Sequence, residues 1–298
     1  MTLRAACFVV TGVRSTQRSC RVIGPDHSKQ LAEAERDRET RYYMRHIVPI
    51  YFHLRKGSDD RKFVHTAFAF SVGGSWLLLT AGHCIEEVQQ ARSAGYELMR
   101  CVLLDCLGVN AKHLEPVPFD YDAANPLPIC HDKAWDYGAM FLSDNTCMLL
   151  KANGVTPFDE QWWIGEPDDV EAYFLLGAPA EITTASVAGV KLGAAMARVA
   201  PLAERPEGFR ETNAPMFYGE LLDNPLSSLQ GMSGGPILSF KSDSEGSGHY
   251  WLHAMQVSQV RGSKYISGIR IAPLGEFMKE IVEGKHGDLA TDSPRQAG

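Results

Sequence analysis

From His46 onward, apolar residues come in short runs broken by Gly, Pro and Asn, not at the spacing of a helix. The runs His46–Leu54, Phe63–Val72, Ser75–Ala81, Glu97–Cys106, Tyr137–Ser143, Val170–Gly177, Pro236–Phe240, Tyr250–Ser258 and Lys264–Ala272 each predict a strand. Many short strands with few helical periods predict an all-β sandwich or barrel. Proline-rich loops are expected near Glu115–Pro128 and Pro201–Pro215. Two stretches depart from this pattern. Ser28–Arg45 reads as a helix with Ser28 as its N-cap and a thin apolar stripe, hence a mostly solvated appendage. Leu274–Lys285 has apolar residues at helical spacing and predicts a closing helix, and residues beyond Gly287 read as a flexible tail.

Composition narrows the class. The chain has 298 residues, 45% hydrophobic and 22% charged, as in an ordinary soluble globular protein. Its net charge of −7 and the lack of a dense basic stripe point away from nucleic acid. No apolar run approaches the ~18 residues of a membrane helix. Residues 1–25 carry Arg4, Arg14, Arg18 and Arg21, several Ser and Thr, and no acid. That bias allows an organellar transit peptide or a disordered arm of a cytoplasmic protein, and the cytoplasmic reading is preferred. The seven cysteines (Cys7, Cys20, Cys84, Cys101, Cys106, Cys130 and Cys147) all lie in the first half of the chain. An odd count that leaves the second half unstapled fits a reducing compartment. Cys101-x4-Cys106 and Cys130-His131 lack the spacing of a zinc site, and no metal or other cofactor is expected.

Three short motifs carry candidate chemistry. The stretch LQGMSGGPIL, residues 229–238, surrounds Ser233 with three glycines, which let backbone amides approach a reacting group closely. WLLLTAGHCIEE ends an apolar strand in small residues and then presents His83. KAWDYGAMFL sets Asp136 at the entry to another apolar run. Singly, each has an ordinary structural reading: a tight turn, a surface histidine, a strand-entry aspartate. Together they supply a nucleophile, a base and a carboxylate to orient the base.

In the order His, Asp, Ser, the segments TAGHC, WDYGAMFL and GMSGGP resemble the signatures of the chymotrypsin-like (trypsin-fold) serine peptidases. Subtilisins and α/β-hydrolases arrange the same groups in other orders. The resemblance spans roughly residues 46–283. It implies two six-stranded antiparallel β-barrels, residues 46–150 carrying His83 and Asp136, and residues 151–287 carrying Ser233. Residues 1–45 would be an N-terminal arm and helix, and 288–298 the tail. It also implies an endopeptidase working through an acyl-enzyme. His83 would take the Ser233 proton, Asp136 would hold the imidazole tautomer, and the N–H groups of Gly231 and Ser233 would receive the oxyanion.

The same resemblance places Ser227 at the base of the primary specificity pocket and Gln259 and Val260 along its wall. Ser258 would brace Asp136, and substrate would pair along Ser258–Val260. An uncharged base and a narrowing valine imply a small or medium uncharged residue before the scissile bond. Met232 stands where zymogen-type members carry an Asp for a freed N-terminus, so activation at His46-Ile47-Val48 by that route is not expected. Cys84 and Leu229 sit at disulfide positions without cysteine partners. Two alternatives stay open: a latent peptidase that needs processing or a protein partner docked through the N-terminal helix, and an inactive binding module. The expected partner is otherwise a protein or peptide substrate, with no nucleic acid and no membrane.

Overall fold

The structure, a computed structural model, describes residues 6–10, 38, 40–112, 115–122, 135–186, 189–223, 228–243 and 248–284. Seven strands form the first lobe: β2 (Ile50–Lys56), β3 (Asp59–His65), β4 (Phe68–Val72), β5 (Ser75–Thr80), β6 (Glu97–Leu103), β7 (Val117–Pro118) and β8 (Gly138–Phe141). They make two antiparallel sheets, β3-β2-β6-β7 and β4-β5-β8. An Ile47–Phe68 bridge and the Val48 N–H to Ala67 carbonyl bond (2.8 Å) tie the sheets together. Between their faces lie Ile50, Phe52, Leu54, Ala69, Leu78 and Met140, all fully buried. The run Phe63–Val72, expected as one strand, is two, because the chain turns from one sheet to the other at Thr66-Ala67.

The second lobe is a closed barrel. β9 (Ala172–Gly177), β11 (Gly189–Pro201), β12 (Met216–Asp223), β15 (Tyr265–Arg270), β14 (Gly248–Gln259) and β13 (Pro236–Ser242) pair in ring order, and β11 closes back onto β9. β10 (Thr184–Ser186) and β1 (Ala6–Val10) add to β11 from outside that ring. Closure satisfies both edges of every strand in the ring. β11 and β12 were not anticipated. The β11 sequence, GVKLGAAMARVAP, is rich in Ala and Gly, and the β12 sequence, MFYGELLD, is interrupted by Gly219 and has no β-branched residue. The barrel packs small residues at close quarters there: Ala194, Ala195 and Ala197 are fully buried, and a Cβ at Gly219 would lie 2.4 Å from Val199 Cγ1.

Among the described residues, α1 (Gly82–Ser93), α2 (Asp144–Ala152) and α3 (Ile271–Val282) are helices that follow the first strands, the last being the expected closing helix shifted a few residues toward the N-terminus. α2 starts at Ser143, whose hydroxyl accepts the Thr146 N–H (3.3 Å). α3 buries Ile271, Leu274 and Met278.

The expected solvated appendage is corrected at its C-terminal end. Residues 40–43 are helical and run into a short 3-10 turn, Met44–His46, whose Met44 and His46 are fully buried. Tyr43 packs edge-on against Phe240 and Tyr250, and Arg45 Nη2 donates to the Tyr250 hydroxyl at 2.7 Å. His46 is held between the Thr156 carbonyl (2.5 Å) and the Tyr250 hydroxyl (2.8 Å). An aromatic surface on β13 and β14 thus docks the segment that precedes the first lobe. The rest of that predicted helix, from Ser28 and apart from residue 38, lies outside the described residues, as do Cys20, Cys130, His131, Ser227 and the 288–298 tail.

Candidate active site

Two turns and a strand entry build the site. β5 ends at Thr80, Ala81 is extended, and α1 begins at Gly82, so His83 stands on the first helical turn. Asp136 comes just ahead of β8, the neighbour of β5 in the sheet. That pairing brings together residues far apart in the chain. Asp136 Oδ2 meets His83 Nδ1 at 2.7 Å, and its Oδ1 accepts the His83 backbone N–H at 2.8 Å. A carboxylate bound at both points fixes the imidazole orientation and directs Nε2 outward. A side chain at position 82 would strike Asp136 Oδ1 and the Tyr137 carbonyl at 2.9 Å, so the small residue before His83 is what admits the carboxylate.

Ser233 lies on the turn Gly231–Gly235, which packs against the end of β5. Gly234 adopts a φ of +86°, and a Cβ there would sit 2.4 Å from both the Thr66 carbonyl and Thr80 Oγ1. Its N–H is held by the Gln256 carbonyl at 2.8 Å. Gly231, at φ +87°, is wedged against Ala178 and Ala180. The Gln230 carbonyl accepts the Ala180 N–H at 2.7 Å, and a trans peptide sends the next N–H the opposite way, so the Gly231 amide points away from Ala180. Among the described residues, no acceptor takes the N–H of Gly231 or of Ser233. No hydrogen bond joins Ser233 Oγ to His83, whose ring bond is to Asp136.

Met232 is fully buried beside Leu229 and Leu175 in the barrel core. An apolar side chain there holds the turn by packing, with no ion pair to a chain terminus. His46, Ile47 and Val48 are buried mid-chain.

Thr66 was not singled out from the sequence. Fully buried between β3 and β4, it accepts the Ala178 N–H at 2.8 Å through Oγ1 and donates the same hydroxyl to the Gly231 carbonyl at 2.5 Å. Its own carbonyl accepts Thr80 Oγ1 at 2.7 Å. One hydroxyl therefore braces the serine turn from the other lobe. Nothing in the local sequence HTAF signals this.

The expected substrate strand is only partly available. Ser258 is exposed and lines the same cavity as Asp136, without a hydrogen bond between them. Gln259 turns its amide to the Ser263 carbonyl at 2.9 Å. Val260 donates its N–H to the Tyr265 carbonyl (3.1 Å), and its carbonyl accepts from both Ser263 N and Oγ. With both peptide groups committed, Val260 has none to offer an incoming strand. A cavity of about 560 Å³ opens beside Asp136, with Phe209, Met216, Tyr218 and Val257 as apolar lining and Arg210 and Glu211 on its loop.

Burial, the largest single effect, opposes a charge on His83, but the Asp136 carboxylate and the neighbouring Cys84 sulfur together outweigh it and raise the imidazole above its usual range. The described cysteines Cys84, Cys101, Cys106 and Cys147 are free thiols. Among the described residues, no three His, Cys, Asp or Glu side chains could hold a metal ion. None of the described helices is long and apolar enough to cross a membrane.

No family model and no curated protein matches the sequence. Among solved structures, the scabies mite inactivated protease paralogue S-I1 superposes with TM-score 0.49 and 13% identity, over 83% of this chain and 97% of that one. The protease Anisep from Arthrobacter nicotinovorans gives 0.41 and 16%, over 76% and 90%. A structure from work on coupled folding and binding of the Sesbania mosaic virus VPg protein gives 0.41 and 13%, over 78% and 90%.

Proposed function

We propose that this protein is a serine endopeptidase of trypsin-like architecture, with Ser233 as nucleophile, His83 as general base and acid, and Asp136 as the group that orients His83. The observation that carries this reading is the two-point bond of Asp136 to His83, at 2.7 Å on Nδ1 and 2.8 Å on the backbone N–H, beside a glycine-framed serine. A serine hydroxyl is a weak nucleophile at neutral pH and needs a base that takes its proton during attack. With its Nδ1 side occupied by Asp136, His83 offers Nε2 for that role and later returns the proton to the leaving amine.

Attack on a peptide carbonyl forms a tetrahedral oxyanion. The unoccupied N–H groups of Gly231 and Ser233 are the donors for it, and losing one such donor typically costs ~3 kcal/mol of transition-state stabilisation. The Ala180 bond to the Gln230 carbonyl supports a turn already set for this work, which favours a competent enzyme over a latent one. Collapse of the oxyanion expels the amine and leaves an acyl-enzyme on Ser233. Water activated by His83 then releases the acid.

Substrate would present its backbone to Ser258 and go no further along the strand than that residue. Val257, Phe209 and Tyr218 make the neighbouring cavity suited to an apolar side chain. For the residue before the scissile bond we retain a preference for small or medium uncharged groups. A peptide library favouring Arg, Lys, Asp or Glu there would overturn it.

The decisive experiment is fluorophosphonate labelling of the full chain beside Ser233→Ala. Labelling of wild type alone, with unchanged melting of the variant, is the expected result. A folded wild type that stays unlabelled at every pH would remove the peptidase reading.

A further inference from the structure

Asp136 stands at the apex of a three-residue turn, closed by the Tyr137 N–H donating to the Trp135 carbonyl at 3.0 Å. The two residues that flank it are aromatic, and both rings rest on one side chain of α3. Phe277 lies 6.3 Å from Trp135 and 6.2 Å from Tyr137, centroid to centroid, with interplanar angles of 40° and 73°. Those spacings fall within the range of favourable ring pairs, about 4.5–7 Å. Tyr137 is buried and Trp135 half-buried.

α3 is itself fixed by the second barrel. It leaves β15 without a loop at Arg270, whose N–H donates to the Pro215 carbonyl at 2.9 Å. Ile271, Leu274 and Met278 are buried along it. A Cβ at Gly275 would lie 2.9 Å from the Trp163 ring. One at Gly73, in the β4–β5 turn, would lie 3.2 Å from Val282 at the far end of the helix. The helix thus runs from the barrel that carries Ser233 to the lobe that carries His83 and Asp136.

We infer that Phe277 is a positioning residue that sets the aim of the Asp136 carboxylate toward His83, acting through Trp135 and Tyr137. This rests on the serine-peptidase reading. The carboxylate makes two bonds in different directions, to His83 Nδ1 and to the His83 backbone N–H, and both need the apex of the turn in one place. A turn closed by one backbone bond is a weak fixture alone, and two rings packed on Phe277 remove its freedom to pivot. Without the Phe277 ring a gap opens against both, and the turn can swing the carboxylate off Nδ1. A misplacement of about 1 Å, caused far from the chemistry, can cost on the order of a hundredfold in rate. Because α3 starts on the second barrel, the same ring keeps the His83–Asp136 pair in register with the barrel that carries Ser233.

The test pairs two readouts on the full chain. The first is the low-field NMR signal of the His83 Nδ1 proton bonded to Asp136, assigned by its loss in His83→Gln and independent of turnover. The second is the rate of fluorophosphonate labelling. Phe277→Ala should lose the signal and label on the order of a hundredfold more slowly. Phe277→Leu, which keeps apolar bulk without the ring, covers the case in which the alanine variant does not fold. It should weaken the signal and slow labelling about tenfold. Phe277→Tyr returns the ring and should bring both readouts back near wild type. Met278→Ala, the next residue on α3 and fully buried, should lower the melting temperature at least as much and leave signal and rate unchanged. Wild-type signal and rate in the alanine and leucine variants would overturn the inference. Equal losses in Met278→Ala would do the same, since they would mean a general loosening of α3. If no protein labels at any pH, wild type included, the peptidase reading fails. The Nδ1 signal across the variants would then still decide whether Phe277 aims the carboxylate.

Discussion

Thr66 and Gly231, 165 residues apart, are joined by a hydrogen bond from the threonine hydroxyl to the glycine carbonyl at 2.5 Å. The same oxygen accepts the Ala178 N–H, so replacing the hydroxyl strands a buried donor and a buried acceptor together. Thr66→Val keeps the shape and should cost about 1–3 kcal/mol of stability. It should also slow turnover more than it raises KM, because it frees the turn that carries the proposed oxyanion donors. Thr66→Ser should restore most of both. Chemical denaturation and steady-state kinetics of the two variants check this, and equal behaviour of Val and Ser variants would refute the bracing role.

Asp136→Asn removes the charge while keeping the size. The amide presents a donor to His83 Nδ1, which favours the wrong tautomer, and the expected loss in kcat is about ten-thousand-fold. Fluorophosphonate labelling should slow in parallel with the fold intact by circular dichroism. A loss of less than tenfold would remove Asp136 from the mechanism.

The serine turn cannot accept a methyl group at Gly234. A Cβ there lies 2.4 Å from two oxygens, on backbone at a φ of +86° that L-residues resist. Gly234→Ala should therefore lower the melting temperature and abolish labelling together. Gly248→Ala meets nothing within 4 Å and serves as the control. A Gly234→Ala protein as stable and reactive as wild type would show that the turn differs from the one described.

Burial, with the neighbouring Arg45 charge, holds His46 well below the usual histidine range, at about 3, against a raising effect from its Thr156 bond. The unfolded chain protonates this histidine first, so the stability it lends is complete above about pH 6.5. It is lost as pH falls toward 3. Between pH 7 and 5 the loss should be about 2 kcal/mol. Melting curves across that range should show the drop in wild type and a shallower one in His46→Gln. Parallel slopes would mean that His46 is solvated.

The all-β character and the residues of the candidate site were legible because their signals are local. Strand runs such as Ser75–Thr80 and Pro236–Ser242 carry their β-branched and apolar residues in one stretch. The glycine-framed turn at Ser233 and the strand end before His83 likewise announce themselves within a few residues. What the sequence alone determined was therefore which candidate groups the chain carries and on what kind of local element each one rides. Only the tertiary structure decided which of these groups meet, and at what distance. It made strands of the Ala-rich β11 and Gly-interrupted β12, because closing a barrel rewards small side chains that local propensity disfavours. It set Thr66 beneath Gly231 and Tyr250 beside His46, pairings between lobes or elements that no period in the sequence encodes. It also consumed both peptide groups of Val260 in a turn, which shortens the substrate strand that the motif alone implied. The physical reason is common to these cases. A hydrogen bond or a packed contact depends on two partners, and the chain separates them by loops whose path is set only when the whole core is buried.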